Sequence, residues 1–590
     1  MGWPRWSLET VLRSRPPVRI NQLGYLPSGP KRGTLISANP IPMPFEVSDG
    51  TGTVVFRGRS APWSGADPTS GMAVHVLDFT ELRDEGSGLR LAVGGHRSHP
   101  FDVRPDLYRQ LRSDALRFFL LMRSGAPIPD AAVPGSAVPG SAVPGYGRPA
   151  GHLGVAPNRG DTSVPAWTGP DAAETYPGWH HSGRQDVSGG WYDAGDYGKY
   201  VTSGAISVWQ LLSALPLVTG TGAGDLATIL VRECRWQLDW LLRMQVPDGE
   251  LAGLAFHRVH GTTWPPVPVP PHHDPTDRVL HRPSTPAALH LAAVAAHGAR
   301  LLGGHHPRYA KTLLAAAGRA YEAAHRHPEL LPPDDHGRFG GGPYPDPDAR
   351  DDFYWAAVEL WLATGENRYR ADFESSPEHR SDRFDAAGFD FDRVTPLARI
   401  DLALSGRHHD HQRAVVDGLL AADRLLDVQA DQPWGQPYAP ASGWDWGSNG
   451  RLLNNLVVIA TAHLVSGDVR YRDAVLTGVD YLLGRNALGQ SYITGYGTDD
   501  TRHQRTRQFG HDLDPAAPPP PPGALAGGAN SRPHPDFPYD ERLLGLPPQC
   551  CYLDEPTSEV TNDVCIRWNA PLVWIAIFLS GPARQERPAT

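Results

Sequence analysis

Two aspartates in the first half of the chain have a spacing suited to work on a bound water. Asp193 and Asp196 stand three residues apart in the Gly- and Tyr-rich segment DVSGGWYDAGDYGKYV, residues 186–201, just before a predicted helix. Inverting hydrolysis of a glycosidic bond needs one carboxylate that takes a proton from water and a second carboxyl group that protonates the leaving oxygen. An isolated DxxD pair is more often a helix cap or a cation ligand, so the pair alone leaves these interpretations open.

The composition favours a carbohydrate ligand over a nucleic acid or a membrane. The chain has 17 Trp, 19 Tyr and 16 Phe, and such rings stack on sugar faces, although most aromatic side chains of a protein lie in its core. The formal net charge is -10, and no basic cluster is interleaved with aromatic residues, so we expect no nucleic-acid partner. The longest apolar run, residues 570–579, is too short to span a bilayer, and we expect no membrane partner.

The residue pattern changes from strands to helices near residue 105. Short alternating segments such as VHVLDF and LRLAVGG predict a small antiparallel β-sandwich over residues 16–105. Residues 106–585 show apolar residues at helical spacing and no convincing strand. About ten to twelve helices without a repeat of fixed length favour a closed ring of helix pairs over a stacked solenoid. The expected helical segments lie near 107–123, 203–217, 226–245, 286–303, 308–326, 351–364, 411–428, 451–466, 470–484 and 568–580.

Several other segments predict no chemistry. The imperfect repeat at 131–145 and the polyproline stretch at 515–523 should form exposed, extended loops. The four cysteines are too few and too clustered for a disulfide framework, so we expect free thiols. The first residues lack the apolar core of a secretory signal. As written, the chain is expected to be cytoplasmic, and it would be secreted if its true N-terminus differs.

The segment around Asp193 and Asp196 closely resembles the base-bearing loop of glycoside hydrolase family 9. Further segments resemble that family and follow in its order: RINQLGYLP, RPAGHLGVAPNRGD, RPSTPAALHLAAVAAHGARL, FYWAAVELWLATGE, WDWGSNGRLLNN and DAVLTGVDYLLGRNALGQSYITGYG. The resemblance implies a mainly α chain, with an (α/α)6 barrel behind a small all-β immunoglobulin-like sandwich. It also implies inverting hydrolysis of β-1,4-glucosidic bonds in cellulose-type glucans or cello-oligosaccharides, with no cofactor required for the chemistry.

The resemblance assigns roles to residues of two loops. By position, Asp196 would be the general base and Asp193 its partner in positioning the water. The family's His-x-Arg element, which would bind a sugar near the cleaved bond, matches His503 and Arg505. The spacing from Gly497 is about one residue short, and an arginine precedes the histidine where the family prefers Pro or an aliphatic residue. Without the family, this Arg-rich segment would be interpreted as a solvated charged turn.

The third element of the resemblance departs from the family. Asp554 and the Trp-Asn-Ala segment at 568–570 fit its C-terminal signature, where Asp554 would belong to the substrate-binding region, but Asp563 stands where the family has a glutamate as general acid. Aspartate is one methylene shorter, which would draw the carboxyl group back by about 1 Å. A displacement of that size can cost a rate factor on the order of 100. Three hypotheses follow: Asp563 remains the acid, Glu559 or Glu555 replaces it, or the acid step is impaired.

Stacking and metal sites are less constrained by the sequence. Trp191, Trp444 and Trp446 are candidate stacking walls of the cleft, and each could equally pack in the core. Relatives of the family often hold structural calcium, but no calcium ligands can be assigned from spacing. A thiolate zinc site beside residues 180–181, both histidines, is not expected, because the chain has no cysteine before residue 234.

The leading hypothesis is therefore a cellulase-type glycosidase whose partner is a β-glucan or oligosaccharide, acting as a monomer or dimer. One alternative is an exo-acting cellodextrinase or glucosaminidase. An alternative from another class is a carbohydrate-binding protein in which Asp563 is an impaired general acid.

Overall fold

The computed structural model describes residues 7–130, 143–156, 158–181, 183–218, 223–406 and 408–581. Most of the repeat at 131–145 lies outside these residues, so the expectation for it stays a prediction. The polyproline stretch at 515–523 forms a loop as expected, although Pro520 and Pro521 are buried rather than exposed.

The N-terminal domain is a sandwich of two β-sheets. In the strand Gly86–Val93, Leu89 and Leu91 point into the core while Arg90 between them is exposed, which is the alternation of a half-buried strand. One sheet orders the strands Val18–Arg19, Arg32–Ile36, Met72–Asp78 and Ala61–Asp67; the other orders Gly24–Tyr25, Phe101–Val103, Gly86–Val93, Pro44–Ser48 and Val54–Arg59, with His96–Arg97 beside Gly86–Val93. A short helix, Leu8–Ser14, precedes the sandwich.

Six helices form the inner ring of the second domain within the described residues. Each packs against the next and the last packs against the first, which closes the ring. Every residue of the first, except Ser213, is buried, as expected for a helix enclosed on all sides. Around the ring these helices are Val201–Ala214, Thr285–Leu302, Arg350–Thr364, Thr395–Leu404, Ser448–Ser466 and Ile566–Ser580.

Each inner helix is paired with an outer helix that packs against it. The outer helices bury one face and expose the other, since their apolar residues recur at helical spacing. Taken around the ring from the partner of Val201–Ala214, they are Ala223–Arg243, Pro307–Arg326, Asn367–Ser375, His408–Ala430, Val469–Leu482 and Arg109–Leu121. The six helix pairs make an (α/α)6 barrel, which confirms the predicted fold.

The sequence prediction missed two helices of the barrel, three shorter helices (Leu8–Ser14, Pro170–Thr175 and Glu559–Asn562) and several strands. The helix Asn367–Ser375 is short and polar, and Thr395–Leu404 is short, so neither gives a long periodic pattern. The expectation of no strand in this domain was wrong. Strands of two to four residues, too short to alternate visibly, lie in the loops: Val164–Pro165 with Arg184–Gln185, Lys199–Tyr200 with Arg258–Gly261 and Arg278–Leu280, and Ala255–Phe256 with Pro283–Ser284.

The sandwich is bonded directly to the barrel. The Asn21 side-chain amide donates to Asp480 Oδ1 at 2.9 Å, and the Trp434 indole N–H donates to Asp67 Oδ2 at 3.0 Å. All four cysteines are buried and free, as expected. Among the described residues, no helix has the length and apolar character that crossing a membrane requires.

Candidate active site

A buried lysine fixes the loop that carries Asp193 and Asp196. Lys199 Nζ donates to the carbonyl oxygens of Val187 and Gly189 at 2.7 and 2.8 Å, and it pairs with Asp161 Oδ2 at 2.7 Å. Gly190 has a φ of +75°, and a Cβ there would lie 2.6 Å from the Trp240 ring, so only glycine fits. These contacts hold the loop rigidly just before the inner helix that begins at residue 201.

Asp193 is buried, and both of its carboxylate oxygens accept hydrogen bonds. The Ser203 hydroxyl donates to Oδ1 and the Tyr344 hydroxyl donates to Oδ2, while Cys565 Sγ lies 3.6 Å from Oδ2. Burial raises the pKa of Asp193 to about 6, against the opposing attraction of the Arg567 guanidinium. Because both oxygens accept hydrogen bonds, the Asp193 carboxyl group is held in place and is positioned to orient a molecule bound beside it.

Asp196 keeps one carboxylate oxygen available. Its Oδ2 accepts from the Gly198 N–H at 2.9 Å and from the Tyr200 hydroxyl at 3.2 Å. Within the described part of the chain, no donor is bonded to Oδ1. The Tyr200 ring also packs on Tyr344, with ring centroids 4.4 Å apart. The two tyrosines that bond the two aspartates therefore support each other.

Asp563 contacts this loop through the N–H of Gly195, the residue before Asp196. The Gly195 N–H donates to Asp563 Oδ1 at 3.0 Å, and the Val564 N–H donates to the same oxygen at 2.8 Å. A Cβ on Gly195 would lie 2.7 Å from this oxygen, so the close approach requires glycine. No donor among the described residues bonds Oδ2, which leaves that oxygen to carry a proton.

Backbone pairing holds the two segments together. Ala194 and Cys565 form an antiparallel bridge, and the Ile566 N–H donates to the carbonyl oxygen of Asp193 at 2.8 Å. The main chain, rather than the side chains alone, thus sets the position of Asp563 relative to the aspartate loop.

The charges around Asp563 favour its protonated form. Burial raises the pKa of Asp563 well above its usual range, and the negative charges of Glu559 and Asp196 raise it further. Glu559 is itself paired with Arg505, with 3.2 Å between Oε2 and Nε. These effects suit Asp563 to donate a proton at a site that it shares with Asp196.

The three aspartates line one cleft with about 820 Å³ of open space. The Arg567 guanidinium lies 5.2 Å from the Tyr344 ring centre and 5.0 Å from that of Trp568. Aromatic faces next to charged hydrogen-bonding groups suit a sugar chain, which has apolar faces and hydroxyl edges. Other lining residues are Tyr200, Trp264, Phe391, Trp446, Phe537, His534, Arg505, Arg507 and Glu559.

Two family models match the chain. Residues 13–98 match the cellulase N-terminal ig-like domain, and residues 108–576 match glycosyl hydrolase family 9. The second match covers most of the chain and includes all three aspartates of the cleft. The chain belongs to glycosyl hydrolase family 9.

Characterised members of the family match along nearly the whole chain. Endoglucanase C of Cellulomonas fimi is 45% identical over 97% of this chain, and cellulose 1,4-beta-cellobiosidase of Acetivibrio thermocellus is 34% identical over 97%. The chain spans about half (52%) of the length of the first relative and 68% of the second. A metagenome-derived family 9 endoglucanase of known structure superposes with a TM-score of 0.80 at 28% identity, covering 96% of this chain and 99% of that one.

The structure brings together some of the predicted site residues and separates others. Asp193, Asp196, Asp563 and Arg505 line the cleft, as does Trp446. The remaining four do not line it. Trp191 packs on Phe119 in the core, Trp444 packs against Tyr438, and His503 and Asp554 line a second depression beside the N-terminal helix.

Hydrogen bonds to Asp554 explain why the His503 side chain does not line the cleft. Asp554 Oδ1 accepts hydrogen bonds from the Thr501 hydroxyl at 2.7 Å and from the His503 N–H at 3.1 Å, and the His503 ring bonds Asp512 at 2.7 Å. Arg505, the second member of the predicted pair, and Arg507, two residues further along the chain, line the cleft instead.

Several cleft residues were not predicted from the sequence. Arg507 could have been found, because shifting the His-x-Arg match by two residues gives Arg505 and Arg507 at the same spacing. Tyr344 and Arg567 stand in no comparable sequence pattern. The Tyr344 hydroxyl bonds Asp193, and Arg567 bonds Tyr344, only because segments distant in the chain fold together.

One buried cluster outside the cleft has the donor set of a cation site. His290 Nε2 lies 2.7 Å from Asp352 Oδ1, and an oxygen of Asp346 lies within the same group. Among the described residues, Oδ2 of both aspartates is buried without a hydrogen-bond partner, which is costly unless a cation binds there. Another cluster, His297, Glu359 and Asp401, already surrounds the Arg300 guanidinium.

Proposed function

We propose that this chain hydrolyses β-1,4-glucosidic bonds of glucans with inversion, using Asp196 as general base and Asp563 as general acid. The hydrogen bond from the Gly195 N–H to Asp563 Oδ1 carries the proposal, because it holds the proton donor against the loop that bears the base. The names of the relatives, an endoglucanase and a cellobiosidase, support the choice of substrate class.

The proton movements follow from the free oxygens. Asp196 Oδ1 takes a proton from a water molecule, whose oxygen attacks the anomeric carbon as the glycosidic C–O bond breaks. Asp563 Oδ2 gives its proton to the leaving oxygen. Asp193, held by Ser203 and Tyr344, orients this water molecule beside Asp196. After turnover, a proton returns from Asp196 to Asp563 through solvent, and the site is restored.

The other two carboxylates are weaker candidates for the acid. Glu555 accepts hydrogen bonds from Arg542 at 2.9 and 2.7 Å and lines the second depression rather than the cleft. Glu559 lines the cleft, but its Oε2 is 3.2 Å from Arg505 Nε, so its carboxyl group is engaged by a cation. Asp563 has no cationic partner among the described residues and is favoured in its protonated form.

The direct test is the product of a short substrate. Cellotetraose is incubated with the enzyme and the first-formed anomer is followed by proton NMR; inversion predicts that the α-anomer appears first. The carbohydrate-binding alternative predicts retained binding of cellotetraose without turnover, and that result would reject the proposal.

We also propose that the cluster of His290, Asp346 and Asp352 holds a structural divalent cation, with calcium as the candidate that suits its carboxylate oxygens. The cluster joins two inner helices and the loop before the second, since His290 lies in Thr285–Leu302 and Asp352 in Arg350–Thr364. A cation there would brace the barrel, and the chemistry of the cleft does not need it.

A further inference from the structure

A proline-rich segment reaches from one rim of the cleft to the other. This strap comprises residues 531–539, SRPHPDFPY, and its root is fixed on the rim that carries Trp446. The Ser531 N–H donates to the Trp444 carbonyl oxygen at 3.0 Å, and the Trp444 N–H donates to Ser531 Oγ at 2.9 Å. At the other end of the strap, the Tyr539 hydroxyl returns to the Asn530 carbonyl oxygen at 2.9 Å.

The tip of the strap contacts the opposite rim. His336 Nδ1 lies 3.0 Å from Asp536 Oδ2. The Phe537 ring lies against Gly337, where a Cβ would be 2.7 Å from the ring. Gly337 is in turn bonded through its carbonyl oxygen to the Trp264 indole N–H at 3.0 Å. The strap is thus fixed at its root on one rim, and its tip contacts the other rim.

Phe537 lies between the aromatic residues of the two rims. Its ring centre is 5.0 Å from that of Trp446 on the near rim and 6.2 Å from that of Trp264 on the far rim. All three residues line the cleft that holds the catalytic aspartates. The three rings therefore form a continuous aromatic contact across the cleft. In an open groove, the two rims would not be connected in this way.

The strap is also built to stay in place. Pro533, Pro535 and Pro538 restrict the backbone of this segment, so holding it across the cleft costs little conformational entropy. A long glucan chain could not settle into such a cleft sideways, because its middle would have to pass through the strap.

We propose that the strap makes this enzyme act from a chain end: a glucan enters the cleft by threading one terminus past Phe537, and internal bonds of a long chain are not cut directly. This inference rests on the proposed function and specifies its mode of action. Trp264, Trp446 and Phe537 determine this specificity, and the contact between His336 and Asp536 holds the strap across the cleft.

The test compares viscosity loss with reducing-end formation on carboxymethylcellulose. Chain-end action predicts a slow loss of viscosity for each new reducing end in the wild type. Two variants open the strap: H336A/D536A, which removes the contact between these side chains without altering a residue that lines the cleft, and a variant in which residues 533–538 are replaced by two glycines. Each should increase the viscosity loss for each reducing end several-fold. E541A, at an exposed residue beyond the strap, is the matched control and should behave as the wild type.

Turnover of cellotetraose, measured in parallel, separates this inference from the proposed function. Rapid viscosity loss by a wild type that cleaves cellotetraose would overturn the strap proposal and leave the hydrolase assignment standing. Slow viscosity loss that neither folded variant changes would also overturn it. A wild type that cleaves neither substrate would overturn both.

Discussion

The main-chain N–H of Gly195 donates a hydrogen bond of 3.0 Å to Oδ1 of Asp563. Gly195 directly precedes Asp196, so a single residue links the proposed acid to the proposed base. This link explains how an aspartate can serve where the family has a glutamate: the segment carrying Asp563 pairs with the aspartate loop along its backbone, and the shorter side chain is bonded in place.

Restoring the family's glutamate should impair the enzyme. Asp563→Glu would push the carboxyl group beyond the N–H groups of Gly195 and Val564 into a buried, closely packed position. We expect kcat on cellotetraose to fall by about 10- to 100-fold, because reacting groups tolerate little displacement. A matched E541D variant should retain wild-type activity. An increase in kcat would mean that the site is not built around aspartate.

Removing the charge of Glu559 should shift the alkaline limb of the pH profile. Burial is the main cause of the raised pKa of Asp563, and the Glu559 carboxylate adds to it. Activity needs protonated Asp563 and is lost as the pH rises through its pKa. Glu559→Gln lowers that pKa, and it also frees the Arg505 cation to act in the same direction.

The pH dependence of kcat/KM on cellotetraose measures this effect. The alkaline limb should move to lower pH, while an acid limb near pH 6, from the pKa of about 6 of Asp193, should stay. An unchanged alkaline limb would contradict the role given to Glu559.

His503 and Arg505 should differ in their contribution to kcat/KM. His503→Gln should leave kcat/KM nearly unchanged, because the side chain lies outside the cleft beside Asp512. Arg505→Gln should lower kcat/KM by about tenfold or more, the usual cost of losing a charged hydrogen-bond donor in a binding site. Comparable losses in both variants would contradict the placement of this loop.

The sequence predicted those parts of the fold and site that depend on contiguous patterns. The long periodic helices and the aspartate segment are local signals, and the structure places Asp193, Asp196 and Asp563 in one cleft. The position of His503 depends instead on Asp554, a residue distant in sequence whose carboxylate turns the loop. No local pattern could reveal that contact.

The aromatic residues illustrate the same limit. Trp191 and Trp446 are equally plausible sugar-stacking residues by composition, yet one packs on Phe119 in the core and the other lines the cleft. Which ring is exposed to substrate is decided by packing between distant segments, as it is for Phe537 in the strap.

Removing a bound divalent cation should destabilise the barrel. Chelation by EDTA should lower the Tm by several degrees, because a ligand present at 100 times its Kd stabilises the folded state by about 2.7 kcal/mol. Added calcium should restore the Tm. The variant D346N/D352N, which lacks two of the proposed ligands, should no longer respond to EDTA or calcium. A Tm of the wild type that is insensitive to EDTA and calcium would contradict the site.

The central claim is that Asp563 protonates the leaving group and Asp196 activates the water. The measurement is kcat for D563A and D196A on cellotetraose and on 2,4-dinitrophenyl cellobioside, whose leaving group needs no proton. D563A should lose cellotetraose cleavage but retain cleavage of the dinitrophenyl compound, whereas D196A should lose both. Equal losses on the two substrates for D563A, or full activity of D196A on either, would contradict it.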